Sequence, residues 1–124
     1  MKRLILQLWR ASADQPNLAV TPLLMASTAA AMNIDVEIHV IGSSVDLFIK
    51  ANPKNHQILT PSNRPLSAFI EDAIRTGVKV KVCSTALRER QLELVDLVEG
   101  VDGVIGMVTM IDLATDLNAT VLTY

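Results

Sequence analysis

The sequence contains one cysteine, Cys83, in 124 residues. That excludes a disulfide within the chain and a zinc site built from several of its own thiolates, and it is the cysteine usage of a reducing compartment. Aromatic residues make up 3% and the formal net charge is −2, so the composition offers neither a basic patch nor a stacking platform for nucleic acid. Charged residues amount to 19%, far from the composition of a disordered chain. Long apolar runs are scarce too. Lys2 and Arg3 followed by Leu4, Ile5 and Leu6 imitate a secretory leader, but Gln7 and Arg10 interrupt the run before an export core of about 7–15 residues accumulates. Gln15 to Ile34 carries no charge, yet Pro16, Asn17, Thr21, Pro22 and Asn33 make it a poor membrane span. The expectation is a soluble cytoplasmic protein with no nucleic-acid or membrane partner.

What the sequence does have is apolar substance. Half of the residues are hydrophobic, enough for residues 1–124 to form a single domain that needs no covalent or metal staple. Lys2 to Trp9 is almost continuous in Leu and Ile, the pattern of a strand buried on both faces. Pro16 to Asn33 is rich in Leu, Met and Ala and predicts a helix that starts at Pro16 or at Thr21-Pro22. Ile34 to Ile41 alternates, with Val36, Ile38 and Val40 on one face and Asp35, Glu37 and His39 on the other, which predicts a strand near an edge or an oligomer contact. Ser43 or Ser44 is placed to cap a short helix through Val45 to Ile49. The loop from Asn52 to Pro65 is long enough to be functional, interfacial or mobile. Pro65 opens a helix through Phe69 and Ile74 to a stop at Gly77.

Val78 to Cys83 alternates again, Val78, Val80 and Val82 against Lys79, Lys81 and Cys83. A helical turn is predicted from Thr85 to Arg90, an amphipathic stretch from Leu92 to Val98, a glycine-punctuated helix from Gly103 to Leu117 and a last strand from Ala119 to Tyr124. Strand and helix alternate throughout. The expected fold is therefore a three-layer α/β sandwich around a mostly parallel sheet of four or five strands, flavodoxin-like in plan.

Ligand sites in such sheets lie beyond the carboxyl ends of the strands. The loop after the first strand, Trp9 to Asp14, lacks both a Ser/Thr/Gly phosphate cradle and a G-x-G-x-x-G run, and Gly100, Gly103 and Gly106 have the spacing of turns and close packing rather than of a cofactor loop. No cofactor and no metal site is expected. Cys83 stands at a strand end just before a helix, where free amides, the positive helix end and inward-turned Arg88 or Arg90 would stabilise a thiolate. Ser84, which follows it directly, is a candidate with Arg88 and Arg90 for stabilising the thiolate or docking a partner protein. A buried packing role is the competing reading for Cys83, since free cysteine is among the most buried residue types. Arg88 and Arg90 compete with simple pairing to Glu89 or Glu93. His39 and His56 have no dyad spacing with Cys83 and read as surface residues. Trp9 and Asp14 could line the same mouth. With no base and no second thiol in a C-x-x-C pattern, the chemistry left to Cys83 is to accept sulfane sulfur as a persulfide and hand it to another protein's thiol.

An apolar first strand, VEIHVIG at 36–42 followed by SSVDLFIK at 43–50, GVKVKVCSTALRERQL at 77–92 and the terminal ATVLTY at 119–124 together resemble the DsrE/DsrF family of small sulfur-trafficking proteins. The resemblance implies a DsrEFH-like fold and a homo-oligomer, a trimer or a hexamer. It also implies persulfide on a cysteine placed like Cys83, exchanged with TusA-like sulfur carriers or rhodanese-like sulfurtransferases. Some relatives have a second cysteine close by, where this sequence has Ser84. Two rivals stand beside that expectation: a non-catalytic assembly or regulatory subunit in which Cys83 is inert, and a flavodoxin-like binder of a small ligand.

Overall fold

The computed structural model describes residues 2–124. Its centre is one five-stranded sheet of order β4-β3-β2-β1-β5, with every neighbouring pair parallel. The strands are β1 (Arg3–Leu8), β2 (Asp35–Val40), β3 (Lys79–Cys83), β4 (Val101–Ile105) and β5 (Ala119–Thr123), and the helices are α1 (Pro16–Ala31), α2 (Leu66–Arg75), α3 (Ser84–Glu89) and α4 (Met107–Ala114). From β1 to β4 the chain steps across the sheet in one direction, and it then returns past β1 to add β5. Right-handed crossovers place α1, α2 and α3 on one face and the returning α4 on the other. The direction reverses once, as in flavodoxin-like sheets, but between β1 and β5, whereas the flavodoxin order 2-1-3-4-5 places that point between β1 and β3.

The three-helix face takes the branched side chains. Leu6, Leu8, Val36, Ile38, Val40, Val80 and Val82 are buried there with Leu23, Phe69 and Ile70. Helix α1 begins at Pro16, whose missing N–H is harmless in a first turn, and continues through Pro22. Its buried stripe is Ala19, Pro22, Leu23, Ala26 and Ala29, small residues at helical spacing that let it lie close to α2 and the sheet. Helix α2 buries Leu66, Phe69, Ile70 and Ala73 and stops at Thr76, with Gly77 beyond it at φ +102°, a left-handed stop that glycine adopts without strain.

Three expectations are corrected. First, β2 is the middle strand of five, not an edge. Second, Val101–Ile105 is a strand and the helix begins only at Met107. Gly103 and Gly106 made the segment read as turn-broken helix, whereas pairing with β3 turns a five-residue, valine-rich run into an edge strand. Third, neither Ser43 nor Ser44 caps a helix. Residues Gly42–Phe48 form a 3₁₀ helix behind Ile41, and Ser44 Oγ instead donates to the Ala11 carbonyl at 2.8 Å. The 52–65 loop holds a second 3₁₀ turn, Pro53–His56, before an isolated bridge between Ile58 and Pro65.

Gly100 sits at φ +95°, and a Cβ there would overlap Ile74 Cγ2 on α2. Gly100→Ala is expected to lower stability by about 2 kcal/mol through backbone strain and this overlap. Gly106→Ala, with nothing within 4 Å of the added Cβ, should stay within about 0.5 kcal/mol. Urea unfolding of both variants checks the pair.

Candidate functional site at the carboxyl end of the sheet

The face opposite α1 and α2 carries Arg3, Ile5 and Gln7 of β1, Asp35, Glu37 and His39 of β2, and Lys79, Lys81 and Cys83 of β3, because residues of one parity share a face and the register aligns Ile5 with Glu37 with Lys79. Of these, Glu37 and His39 at the centre of the sheet are buried, so their polar atoms depend on neighbouring side chains for partners. Glu37 collects the charges. Its Oε1 accepts from His39 Nε2 at 3.1 Å and pairs with Lys81 Nζ at 3.1 Å, while Arg3 Nε stands 3.9 Å from Oε2 and donates to Asp35 Oδ2 at 2.9 Å.

His39 is 0% exposed, which corrects its reading as a surface residue. Tertiary placement in a central strand overrides the solvent-facing look of an alternating pattern. In the neutral ring that donates from Nε2 to Glu37, Nδ1 is a bare acceptor, and that atom is buried without a partner among the described residues. Burial pushes the His39 pKa below its ordinary value, Glu37 opposes the shift, and the charges of Lys81 and Arg3 add to it. For Glu37, burial alone would raise the pKa, but the bonds from His39 and Lys81 and the Lys81 charge prevail and hold it below the usual carboxylate value.

Cys83 closes β3 one rung beyond Lys81 on this face and is the residue from which α3 departs. It stands at the strand end as expected, but it is free and 2% exposed, part of the hydrophobic core cluster. Ser84 is the first residue of α3 and is half-buried. Arg88 is exposed, and Nη2 reaches only Thr85 Oγ1, at 3.5 Å. Arg90 turns away to pair with Asp46 Oδ1 at 3.1 Å, across the chain from the Glu89 or Glu93 pairing that local spacing suggested. Neither arginine is hydrogen-bonded to Cys83. Trp9 is 51% exposed, with the Arg10 guanidinium 5.5 Å from its ring centre, and Asp14 pairs with Lys54 at the surface. Both lie at the carboxyl end of the sheet, after β1, with β2 intervening between β1 and Cys83.

At the direction reversal, where a flavodoxin-like ligand would enter, backbone bonds continue the β1–β5 pairing to the end of the strands. The amides of Trp9 and Arg10 donate to the Tyr124 carbonyl at 2.8 and 3.0 Å. His56 is exposed in the 52–65 loop. No group of three or more His, Cys, Asp and Glu side chains among the described residues could hold a metal ion, and no helix among them is long and apolar enough to cross a membrane. The sequence reading missed the Arg3–Glu37–His39–Lys81 network. Its signal was present in the like parity of Glu37 and His39 with Lys79 and Lys81, but only the order of the strands says that these segments are neighbours.

The profile of the DsrE/DsrF-like family matches residues 5–124. The fold is similar to that of a protein of unknown function from Methanobacterium thermoautotrophicum (TM-score 0.72, 16% identity, all of both chains). It is also similar to the ychN protein from E. coli (0.69, 18%, all of both chains) and to a conserved protein of unknown function from Bacteroides thetaiotaomicron (0.69, 12%, 99% of this chain and 95% of that one). At such identities the likeness is one of fold. No curated protein matches in sequence.

Two outcomes are expected for the buried network. Glu37→Gln leaves Lys81 beside an uncharged amide, while Arg3 keeps Asp35, and should cost on the order of 2–3 kcal/mol in urea unfolding. Because Glu37 and His39 both titrate below their ordinary values, the unfolded chain binds more protons and stability rises with pH. The His39 contribution is present above its ordinary 6.5 and is lost as pH falls below it. The Glu37 contribution is present above 4.5 and is lost at lower pH still. His39→Gln keeps a donor without titrating, so its unfolding free energy should slope less steeply than the parent's on the acid side of pH 6.5. An unchanged slope would contradict this account.

Proposed function

The chain belongs to the DsrE/DsrF-like family, and from that premise we propose that it carries sulfane sulfur as a persulfide on Cys83 and exchanges it with partner proteins. Membership supports a role connected to sulfur metabolism at the level of the family. The observation that carries the finer reading is the place of the one thiol: Cys83 stands at the carboxyl end of β3, at its junction with α3, where parallel sheets put their chemistry. In the loading step the Cys83 thiolate attacks the terminal sulfur of a donor persulfide, R–S–SH. The new S–S bond forms on Cys83, the donor's S–S bond breaks, and the donor leaves as a thiolate that takes up a proton. Sulfur moves at constant total oxidation state, so no external oxidant or cofactor is required.

Burial sets the condition for this exchange. An attacking sulfur needs an in-line approach, and at 2% exposure Cys83 is reached only when the structure around it opens locally. The same burial favours a second reading, a non-catalytic assembly subunit in which Cys83 is packing. A homo-oligomer, with a trimer as the first form to seek, accompanies either reading. Met107, Val108 and Ile111 make an apolar stripe on α4, with Val108 85% exposed, on the face that a single helix covers. Such contiguous exposed apolar surface is typical of an interface. TusA-like carriers and rhodanese-like sulfurtransferases in the cytoplasm are the partners this function calls for.

Intact mass after brief exposure to polysulfide tests the carrier. The expected result is addition of whole sulfur atoms, absent in Cys83→Ala and removed by reductant. No adduct, together with slow alkylation of Cys83 that speeds up at least about tenfold in urea, would leave the packing subunit. For the assembly, sedimentation of the parent should give a concentration-dependent multiple of the monomer mass, and Val108→Glu should return it to monomer. A monomeric parent would end that part of the proposal.

A further inference from the structure

A cleft of about 600 Å³ lies beside α2, between that helix and the segment entering β4. It is on the opposite face of the sheet from Cys83. Its size falls in the range of small-molecule sites, roughly 300–1,000 Å³. The β3–β4 connection leaves this space. Where a full third helix would fill the layer beside α2, the chain supplies the six-residue α3, the 3₁₀ turn Leu94–Asp96 and an extended run that pairs back onto residues 48–50.

The floor is apolar, formed by Ile49, Ile70, Ile74 and Val98. Ser67, Glu71 and Arg75 also line it and recur every four residues along α2, a polar line about 12 Å long. Two observations distinguish the cleft from an accidental gap. Asn55 lines it at 2% exposure, with Nδ2 donating to the Leu47 carbonyl at 2.8 Å and Oδ1 without a partner among the described residues. A buried acceptor left unmet costs about 1–3 kcal/mol, so such a group calls for a donor. Lys50, Glu71 and Glu99 also line the cleft, and none of them forms an ion pair among the described residues. Two carboxylates disfavour an anion such as a nucleotide, and Lys50 disfavours a simple cation.

We propose that this cleft binds a zwitterion with an aliphatic body, of amino-acid to short-peptide size. Its N–H donors answer the Glu71 and Glu99 carboxylates and, once a rotation of the Asn55 side chain uncovers it, Asn55 Oδ1; its carboxylate answers Lys50, and its apolar body lies on the isoleucine floor. The site is independent of sulfur chemistry at Cys83.

The test is ¹H–¹⁵N NMR titration of the full chain with the dipeptide leucylalanine, up to about 10 mM to cover weak binding, beside its N-acetylated, C-amidated form. The expected result is saturable shifts that include the Asn55 side-chain amide and the Gly100 backbone amide, and that are absent with the blocked form. Glu71→Gln and Lys50→Gln alter exposed side chains and should each weaken binding at least about fivefold. No saturable shift with the dipeptide, equal shifts with the blocked form, or unchanged affinity in both variants would each overturn the proposal.

Discussion

Three right-handed crossovers in one direction, followed by a single return, stack α1, α2 and α3 on one face of the sheet and leave α4 alone on the other. The rest of the molecule answers to that asymmetry. The well-covered face is filled by the branched side chains of the strands against α1 and α2. The other face must close the central strands with one eight-residue helix and its own side chains. It does so with charge, since Glu37 lies between His39, Lys81 and Arg3, and each group offsets part of the desolvation of the next.

Cys83 belongs to that second face. Its side chain shares the parity of Lys81, and its backbone ends β3. The apolar stripe on α4 has the same origin: a helix that crosses alone has an inner side that buries Met110 and a flank that nothing among the described residues covers. The cleft beside α2 is the counterpart on the other face. There the short β3–β4 connection leaves the helical layer incomplete, and Gly100 lets the entering strand pass against Ile74.

Much of this was legible in the residues. The continuous Leu/Ile run gave β1, parity gave β2 and β3, and Pro65 with Gly77 bracketed α2. The position of Cys83 at a strand end followed from the alternation that precedes it. Val101–Ile105 was not legible, because a short edge strand with a central glycine has little local preference and owes its form to pairing with β3. Arg90 was misassigned for a similar reason. Its partner, Asp46, is 44 residues away in the Gly42–Phe48 3₁₀ helix, and spacing along one helix carries no information about a contact with another element.

The sequence by itself determined the class of fold, the location of the one thiol and the family resemblance, since periodicity, turn residues and residue identity are local properties of a chain. Only the tertiary structure decided that β2 is central, that Glu37 and His39 are buried hydrogen-bond partners, that Cys83 is covered, and that Asn55 lines a cleft and has an unmet acceptor. Each of these depends on which segments become neighbours, and that is set by the order in which parallel strands assemble, a choice made by the whole core at once.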